Sequence, residues 1–167
     1  WMLEQACHTW DVLNWVTGTL PVAAYGAGRA DIYVDPEKEP DRDVTDFYVA
    51  TVIYPNLNVR YSHSWGAPND GRFIGVYERI VGTLGGADLE TGDIIFREKD
   101  KPAQKIGEKE PNHTQASIDH FFDCVRKGQV PNSTVFNGRD ATLVGLLIRT
   151  AVREERFVTM EEIMKSV

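Results

Sequence analysis

The first stretch of the chain has apolar residues at helical spacing. Over Met2–Thr17 they recur every three or four positions and form one stripe. The members of this stripe are Leu3, Ala6, Trp10 and Leu13. The pattern predicts a helix that ends at Gly18, because glycine readily adopts the left-handed conformation that closes helices. Pro21 prevents the helix from continuing.

A period of two residues follows and predicts β-strands. Val22–Gly26 is short and apolar, and Val44–Tyr54 is rich in residues that favour strands. Pro55-Asn56 provides turn chemistry, so Leu57–Trp65 is predicted as the second arm of a hairpin. Its alternation places on one face Leu57, Val59, Tyr61, His63 and Trp65, and on the other face Asn58, Arg60, Ser62 and Ser64.

Further strands and two polar connections are predicted in the middle of the chain. The predicted strands are Phe73–Leu84, Ala87–Glu90 and Ile94–Arg97, with a tight turn at Gly85-Gly86. Charge and proline content identify as surface connections the segments Asp35–Asp43 and Lys99–Asn112.

The last third of the chain is predicted to be helical. Thr114–Lys127 ends at Gly128, and its residues at core spacing are Ile118, Phe121, Phe122 and Val125. Asp140–Glu154 is a second helix, and Thr159-Met160-Glu161-Glu162 has the form of a capping box that opens a last short one. One helix, several strands and then helices indicate an α+β fold, an open, mainly antiparallel sheet with helices packed on one face.

Composition narrows the possible partners. The 167 residues are enough for one domain, so residues 1–167 are predicted to form a single domain. A net charge of −7 argues against a nucleic-acid surface and against an anionic membrane as partner. Cys7 and Cys124 are too far apart in sequence for a metal knuckle, and two reduced thiols are expected.

The densest polar group is Glu4-x-x-x-His8-x-x-Asp11. On a helix these spacings bring the three side chains to one face, next to Trp15. A histidine between carboxylates can act as an acid/base group, since the carboxylates favour its charged form and orient the ring. A half-buried structural histidine explains the same spacing. No metal site is predicted, because ligands normally come from more than one element.

Other catalytic motifs are missing from the sequence. There is no Gly-x-Ser-x-Gly motif, and Gly26-x-Gly28 lacks the third glycine and the following helix of a dinucleotide fingerprint. The chain also opens at Trp1-Met2 inside a predicted helix without a capping residue, so we expect a preceding domain.

The run from Glu4 to Gly18 resembles the helix that opens the C-terminal domain of the glucose–fructose oxidoreductase/inositol dehydrogenase (Gfo/Idh/MocA) family. The resemblance covers nearly the whole chain. It continues through Tyr54-Pro55-Asn56, Gly82 with Gly85-Gly86, Asn137-Gly138-Arg139-Asp140-Ala141 and Thr159-Met160-Glu161-Glu162-Ile163.

This resemblance implies hydride transfer between NAD or NADP and a sugar or polyol hydroxyl. It implies His8 and Glu4 as catalytic residues. Asp11 and Trp15 are candidates for substrate binding by their chemistry, and a structural role is the alternative for both. It also implies a large open sheet whose free face packs against a second subunit in a homo-oligomer. The cofactor and a catalytic lysine would come from a dinucleotide-binding domain, so no cofactor-binding residue is expected here and the chain alone is expected to be inert.

Two departures from the family pattern are visible. Glu4 replaces the usual aspartate and reaches one methylene further, and the chain has no Gly-x-Gly-x-x-Gly. Cytoplasm is the default location, or the periplasm if a twin-arginine signal precedes the chain.

Two other functions are compatible with the residues. One is a dimerisation or carbohydrate-binding module without chemistry. The other is a hydrolase or isomerase with Glu4 and Asp11 as a carboxylate pair, although carboxylates on one helix face seldom flank a bond.

Overall fold

Four helices and eight strands make up the computed structural model, which describes residues 2–33, 35, 37–38, 44–106 and 112–167. In chain order they are α1 Cys7–Thr17, β1 Ala23–Arg29, β2 Phe47–Tyr54, β3 Leu57–Ser64, β4 Arg79–Val81, β5 Gly85–Asp88, β6 Asp93–Phe96, β7 Gln104–Lys105, α2 His113–Lys127, α3 Val135–Glu154, β8 Val158–Thr159 and α4 Met160–Ser166. All pairings between the described strands are antiparallel.

The chain divides into two compact units. The first comprises Trp1–Gly66 with Val130–Val167, and the second comprises Ala67–Gln129. Each holds a four-stranded sheet, in the order β3-β2-β1-β8 in the first and β4-β5-β6-β7 in the second. The predicted α+β fold with an open antiparallel sheet and helices on one face is confirmed, and its described strands are divided between these two sheets. Assignment of residues 1–167 to a single domain stays a prediction.

The core of the first unit lies between one sheet face and the helices α1, α3 and α4. On β2 the buried residues alternate with more exposed ones, as the period of two requires. They are Tyr48, Ala50, Val52 and Tyr54. From α3 the core receives Leu143, Val144, Leu147, Ile148, Ala151 and Val152. On the opposite sheet face, Tyr25 and Val49 are about half exposed.

The predicted hairpin is present as β2 and β3, with its turn at Pro55-Asn56. Tyr54 pairs with Leu57 across the two-residue turn, and Tyr48 pairs with His63 near the other end. Along β3 half-buried and exposed residues alternate without interruption. The prediction for this arm is therefore confirmed, because a two-residue turn fixes the register and the pleat then fixes the faces.

Asp46 is a charged residue in the core that the sequence pattern did not reveal. Its side chain is fully buried, and its Oδ2 accepts hydrogen bonds from the backbone nitrogens of Ile32 at 2.7 Å and Tyr33 at 3.2 Å. Its own nitrogen donates to the oxygen of Arg29, and its oxygen accepts from the nitrogen of Trp65. Asp46 thus joins the ends of β1 and β3, since a buried carboxylate must be satisfied by such donors.

The predicted strand Phe73–Leu84 is wrong over most of its length, because only Arg79–Val81 is a strand. Before it, Phe73 donates its backbone N–H to the oxygen of Asp70 and closes a turn. Gly75 has a φ of 146°, a conformation that strands of L-residues do not adopt.

Gly85-Gly86 is not the predicted tight turn, since both residues lie in β5 and the turn precedes them at residues 82–84. A Cβ on Gly85 would lie 2.1 Å from the oxygen of Ile95. Glycine is present there because two strand backbones approach closely. The short strands predicted near residues 87–90 and 94–97 correspond to β5 and β6.

The prediction for α2 is correct in position and wrong in burial. Gly128 closes this helix in the left-handed conformation. However, its apolar stripe is exposed, with exposed fractions between 46% and 63% for Ile118, Phe121, Phe122 and Val125, and Cys124 is its buried residue. Both cysteines are free thiols, as expected.

The start of one helix also differs from the sequence prediction. The helix α3 begins at Val135 and not at Asp140, because Thr134 and Asn137 form a capping box. Thr159 caps α4 as predicted by accepting a hydrogen bond from the nitrogen of Glu162. The connection Lys99–Asn112 contains the short strand β7, and its residues 107–111 lie outside the described part. The same holds for Trp1 and for most of the connection Asp35–Asp43.

Candidate functional site

The segment that carries the predicted site is held by three buried side chains. Met2, Ala6 and Trp10 have exposed fractions of 2%, 6% and 0% and belong to the core of the first unit. All three pack into the same core cluster and therefore mark the buried side of the segment. The opposite side is left for polar residues, and the chain cannot rotate without exposing Trp10.

Two further contacts fix α1 against the β2–β3 hairpin. The rings of Trp10 and Tyr61 are tilted, with centroids 5.0 Å apart. The hydroxyl of Tyr54 donates a hydrogen bond to Asn14 Oδ1 at 3.0 Å. Burial raises the pKa of Tyr54, so this hydroxyl stays protonated and remains a donor over the ordinary pH range. The helix is thereby held at two points along its length.

Glu4 and His8 are exposed next to this buried side. His8 lies in the first turn of α1, whereas Glu4 lies in the turns of residues 2–6 that precede the helix. The predicted helix start at Met2 is therefore wrong. Ala6 offers no side chain that can cap a helix, and Met2 and Leu3 are drawn into contact with α3. Cys7 Sγ donates to the backbone oxygen of Glu4 at 2.9 Å and holds this turn against the first turn of the helix.

The structure leaves the predicted polar group open to solvent. Within the described residues, no hydrogen bond or ion pair joins the side chains of Glu4, His8 and Asp11. Asp11 is half-buried, and Trp15 is 80% exposed. Because His8, Asp11 and Trp15 are three and four residues apart in α1, they share one helix face. This face presents an imidazole, a carboxylate and an uncovered aromatic ring to a ligand.

His63 and Trp65 extend the large-residue face of the hairpin. Their rings meet edge to face with centroids 5.8 Å apart. His63 is half-buried, and this burial lowers the pKa of its imidazole, because removing water disfavours the charged form. His63 is thus held as a neutral ring in the folded protein near neutral pH.

We expect His63 to make the folded state sensitive to acid. Because folding lowers the pKa of His63, the unfolded chain takes up a proton before the folded protein does as the pH falls. The contribution of His63 to the free energy of unfolding is therefore complete above the unfolded pKa of about 6.5 and is lost as the pH falls through the lower folded pKa. The free energy of unfolding in urea should therefore decrease between about pH 7.5 and pH 5. In His63→Gln this decrease should be smaller, while the exposed control His113→Gln should retain it. An identical pH dependence in His63→Gln and the parent would contradict this assignment.

Gly26 and Gly28 serve packing and not phosphate binding. A Cβ on Gly26 would lie 2.8 Å from Val152 Cγ2, and one on Gly28 would lie 2.8 Å from Val152 Cγ1. Both glycines lie inside β1, where they let α3 approach the sheet. A pyrophosphate is bound where a glycine-rich turn opens a helix. These two glycines therefore do not fit a dinucleotide.

The described residues contain no group of three His, Cys, Asp or Glu side chains placed to hold a metal ion. Among the helices described, none is long and apolar enough to cross a membrane.

Sequence comparison finds no matching family model and no matching curated protein. Solved structures do match. Levoglucosan dehydrogenase in complex with NADH has a TM-score of 0.73 at 16% identity, over 94% of this chain and 49% of that one. The aldose-aldose oxidoreductase of Caulobacter crescentus has a TM-score of 0.69 at 18% identity, over 92% and 45%. For UDP-N-acetylglucosamine 3-dehydrogenase of Acidithiobacillus ferrooxidans the values are 0.70 and 19%, over 89% and 46%.

The chain has the fold found in the Gfo/Idh/MocA oxidoreductases. It spans about half the length of the solved structures that it matches. In this Gfo/Idh/MocA fold the sequence pattern located the helix of His8. It missed the supports behind that helix, Asn14 with Tyr54 and the buried Gly145 of α3. Of these supports, only Tyr54 had a signal in the sequence, its inward position on its strand.

Proposed function

We propose that this chain is the substrate-facing, C-terminal domain of an NAD(P)-dependent dehydrogenase that acts on a hydroxyl group of a sugar or polyol. The fold supports this proposal, since it is shared with oxidoreductases named for aldoses, levoglucosan and UDP-N-acetylglucosamine. Because one fold can host many functions, the argument must also rest on the residues of the site.

The observation that carries the proposal is the exposed imidazole of His8 on a helix whose other side is buried. Oxidation of an alcohol requires removal of the hydroxyl proton while hydride departs from the same carbon. An imidazole is suited to accept that proton, because the ordinary pKa of this side chain lies near neutral pH. The core contacts of Ala6 and Trp10 hold the helix in place, so the imidazole is presented from a rigid support.

Glu4 is proposed to orient and stabilise the charged form of His8. Its backbone is held beside α1 by the hydrogen bond from Cys7, and its exposed side chain is free to turn. A carboxylate near an imidazole favours the protonated ring that forms during proton abstraction. The longer side chain of glutamate compensates for its position in the turn that precedes the helix.

Asp11 and Trp15 are proposed to bind the substrate. A carboxylate accepts hydrogen bonds from sugar hydroxyls, and an indole ring offers an apolar surface on which a sugar ring can stack. Both residues share the helix face of His8, and the ring of Trp15 is uncovered.

The nicotinamide cofactor, which would accept the hydride, is proposed to be bound by a separate dinucleotide-binding domain. The glycines of β1 are occupied by packing against α3 and leave no phosphate cradle there. We therefore expect the 167-residue chain alone to show no oxidation of any sugar.

The direct test is oxidation of a panel of sugars and polyols by the full-length protein that contains this chain. Formation of NADH or NADPH should be followed by absorbance, with the isolated chain as the matched control. Turnover by the full-length protein and none by the isolated chain is expected. Turnover of a sugar by the isolated chain, without nicotinamide, would contradict the proposal.

A second candidate function is an assembly module without chemistry. The outer sheet face of the first unit supports it, since this face exposes Tyr25 and Val49. Their neighbours across the strands are Thr51 and Ala27. A full-length protein that binds the cofactor, oxidises nothing in the panel and forms a stable homodimer would favour this second function.

A further inference from the structure

Helix α3 contains a glycine at a position where this residue is unfavourable. Gly145 lies in the middle of Val135–Glu154 and is buried. Glycine is among the poorest helix formers, because fixing its backbone costs more entropy than fixing that of alanine.

The space above Gly145 is occupied by the segment that precedes α1. A Cβ at this position would lie 2.7 Å from Leu3 Cδ2 and 3.0 Å from the backbone oxygen of Met2. The contact with Leu3 Cδ2 is closer than real Cβ atoms make, but it involves the end of a side chain that can rotate. The contact with the Met2 oxygen is tight and involves backbone, so the Met2 segment must shift by a few tenths of an ångström to admit a methyl group. Met2 and Leu3 are therefore seated directly on the backbone of α3.

The same helix provides a comparison at Gly138. A Cβ there would have nothing within 4 Å, and the residue is exposed. A methyl group is thus crowded at position 145 and unhindered at position 138. Gly138 and Gly145 are both helical glycines, so the difference between them lies in the contact of Gly145 with Met2 and Leu3.

Glu4 directly follows Met2 and Leu3, which form the seat on Gly145. From the seat the chain passes through the turns of residues 4–6 into α1, where Cys7 bonds to the oxygen of Glu4 and His8 lies one residue further. We propose that Gly145 is a positioning residue for the pair Glu4 and His8. This inference rests on the proposed function. Because Gly145 lets the backbone of Met2 lie against α3, it determines the position of Glu4 beside the first turn of α1.

Gly145→Ala should move the seat by a few tenths of an ångström and lower kcat. A displacement of about 1 Å in a catalytic site costs on the order of 100-fold, so a loss of roughly 10-fold is expected here. KM should stay near the parental value, because Asp11 and Trp15 are held by α1 itself. The pH profile of kcat should shift, since the distance between the carboxylate and the imidazole changes.

The experiment compares Gly145→Ala with the matched control Gly138→Ala in the full-length protein. Both add one methyl group to α3. Steady-state kinetics gives kcat and KM, and NMR gives the Cε1–H resonance of His8 and its titration, which does not depend on turnover. The expected result is a tenfold lower kcat with a displaced His8 titration in Gly145→Ala, and parental values in Gly138→Ala.

Leu3→Ala is the second variant, in case Gly145→Ala does not fold. It removes the side chain that packs on Gly145 and should also lower kcat and displace the His8 titration. Parental kcat and an unchanged His8 titration in folded Gly145→Ala, or in Leu3→Ala where the first does not fold, would overturn the positioning role.

The variant His8→Ala separates this inference from the proposed function. Loss of turnover in His8→Ala together with parental behaviour of Gly145→Ala refutes only the positioning role. Full turnover in His8→Ala refutes the base role proposed for His8 and, with it, the inference.

Discussion

Replacing His8 by alanine is expected to lower kcat for the oxidised sugar or polyol by about 10²- to 10⁴-fold, the usual contribution of a general base. KM should change little, because the imidazole acts on the proton that leaves in the transition state and the substrate is bound by other groups. Added imidazole should restore part of the activity. The measurement is steady-state kinetics of the full-length protein with the substrate that the panel identifies.

His8 is exposed, so its replacement should leave folding intact. Substitutions at such positions usually change the free energy of unfolding by less than about 0.5 kcal/mol. The matched control is His113→Ala, which removes another exposed imidazole at the start of α2. It should retain the parental kcat. If His8→Ala keeps kcat within about threefold of the parent while folded, the base is a different residue.

Replacing Trp10 by alanine is expected to lower the free energy of unfolding by about 3–5 kcal/mol. Trp10 has no exposed surface and lies within the core cluster of the first unit. Removal of its indole would leave a cavity beside Tyr61 and release the helix that carries His8. Urea unfolding followed by circular dichroism measures the loss. It is a large part of the stability of a typical domain, about 5–15 kcal/mol.

Trp15→Ala is the control for this measurement, because the same side chain is removed from the same helix. Trp15 is 80% exposed, so its loss should cost less than about 0.5 kcal/mol. If the free energy of unfolding of Trp10→Ala lies within about 1 kcal/mol of the parent, the loss is far smaller than large-to-small core substitutions cause. Such a result would show that α1 is held by other contacts.

Much of the first unit could be predicted from the sequence. The stripe of Ala6 and Trp10 pointed to the core, and Gly18 ended the helix in the left-handed conformation. The alternation along β3 and the two-residue turn gave the hairpin its register and faces. These features are local, and each depends on residues within a few positions of one another.

The second unit was predicted less well, for a physical reason. The apolar stripe of α2 has the same periodicity as that of α1, yet its members are exposed. Periodicity identifies which residues share a helix face, but burial requires a partner surface for that face. The exposed residues from Phe73 to Tyr77 show the same limit, since strand propensity is decided by neighbouring strands.

The candidate site was located by sequence and shaped by tertiary contacts. Glu4 and His8 were found from their spacing and from the resemblance to a family. Their roles stay predictions. The sequence pattern predicted a helix from Met2, whereas α1 begins at Cys7, because Met2 and Leu3 pack on Gly145. That contact joins residues more than a hundred positions apart, and no local pattern contains it.

By itself the sequence determined the secondary structure of α1 and of the hairpin, the faces of both, and the identity of the polar residues beside the core. Only the tertiary structure decided where Glu4 lies relative to His8, why position 145 favours glycine, and which apolar stripe is buried. Short-range sterics and backbone hydrogen bonding act within a few residues and can be read along the chain. Close packing between distant segments depends on the shapes that meet, and those are set only when the chain has folded.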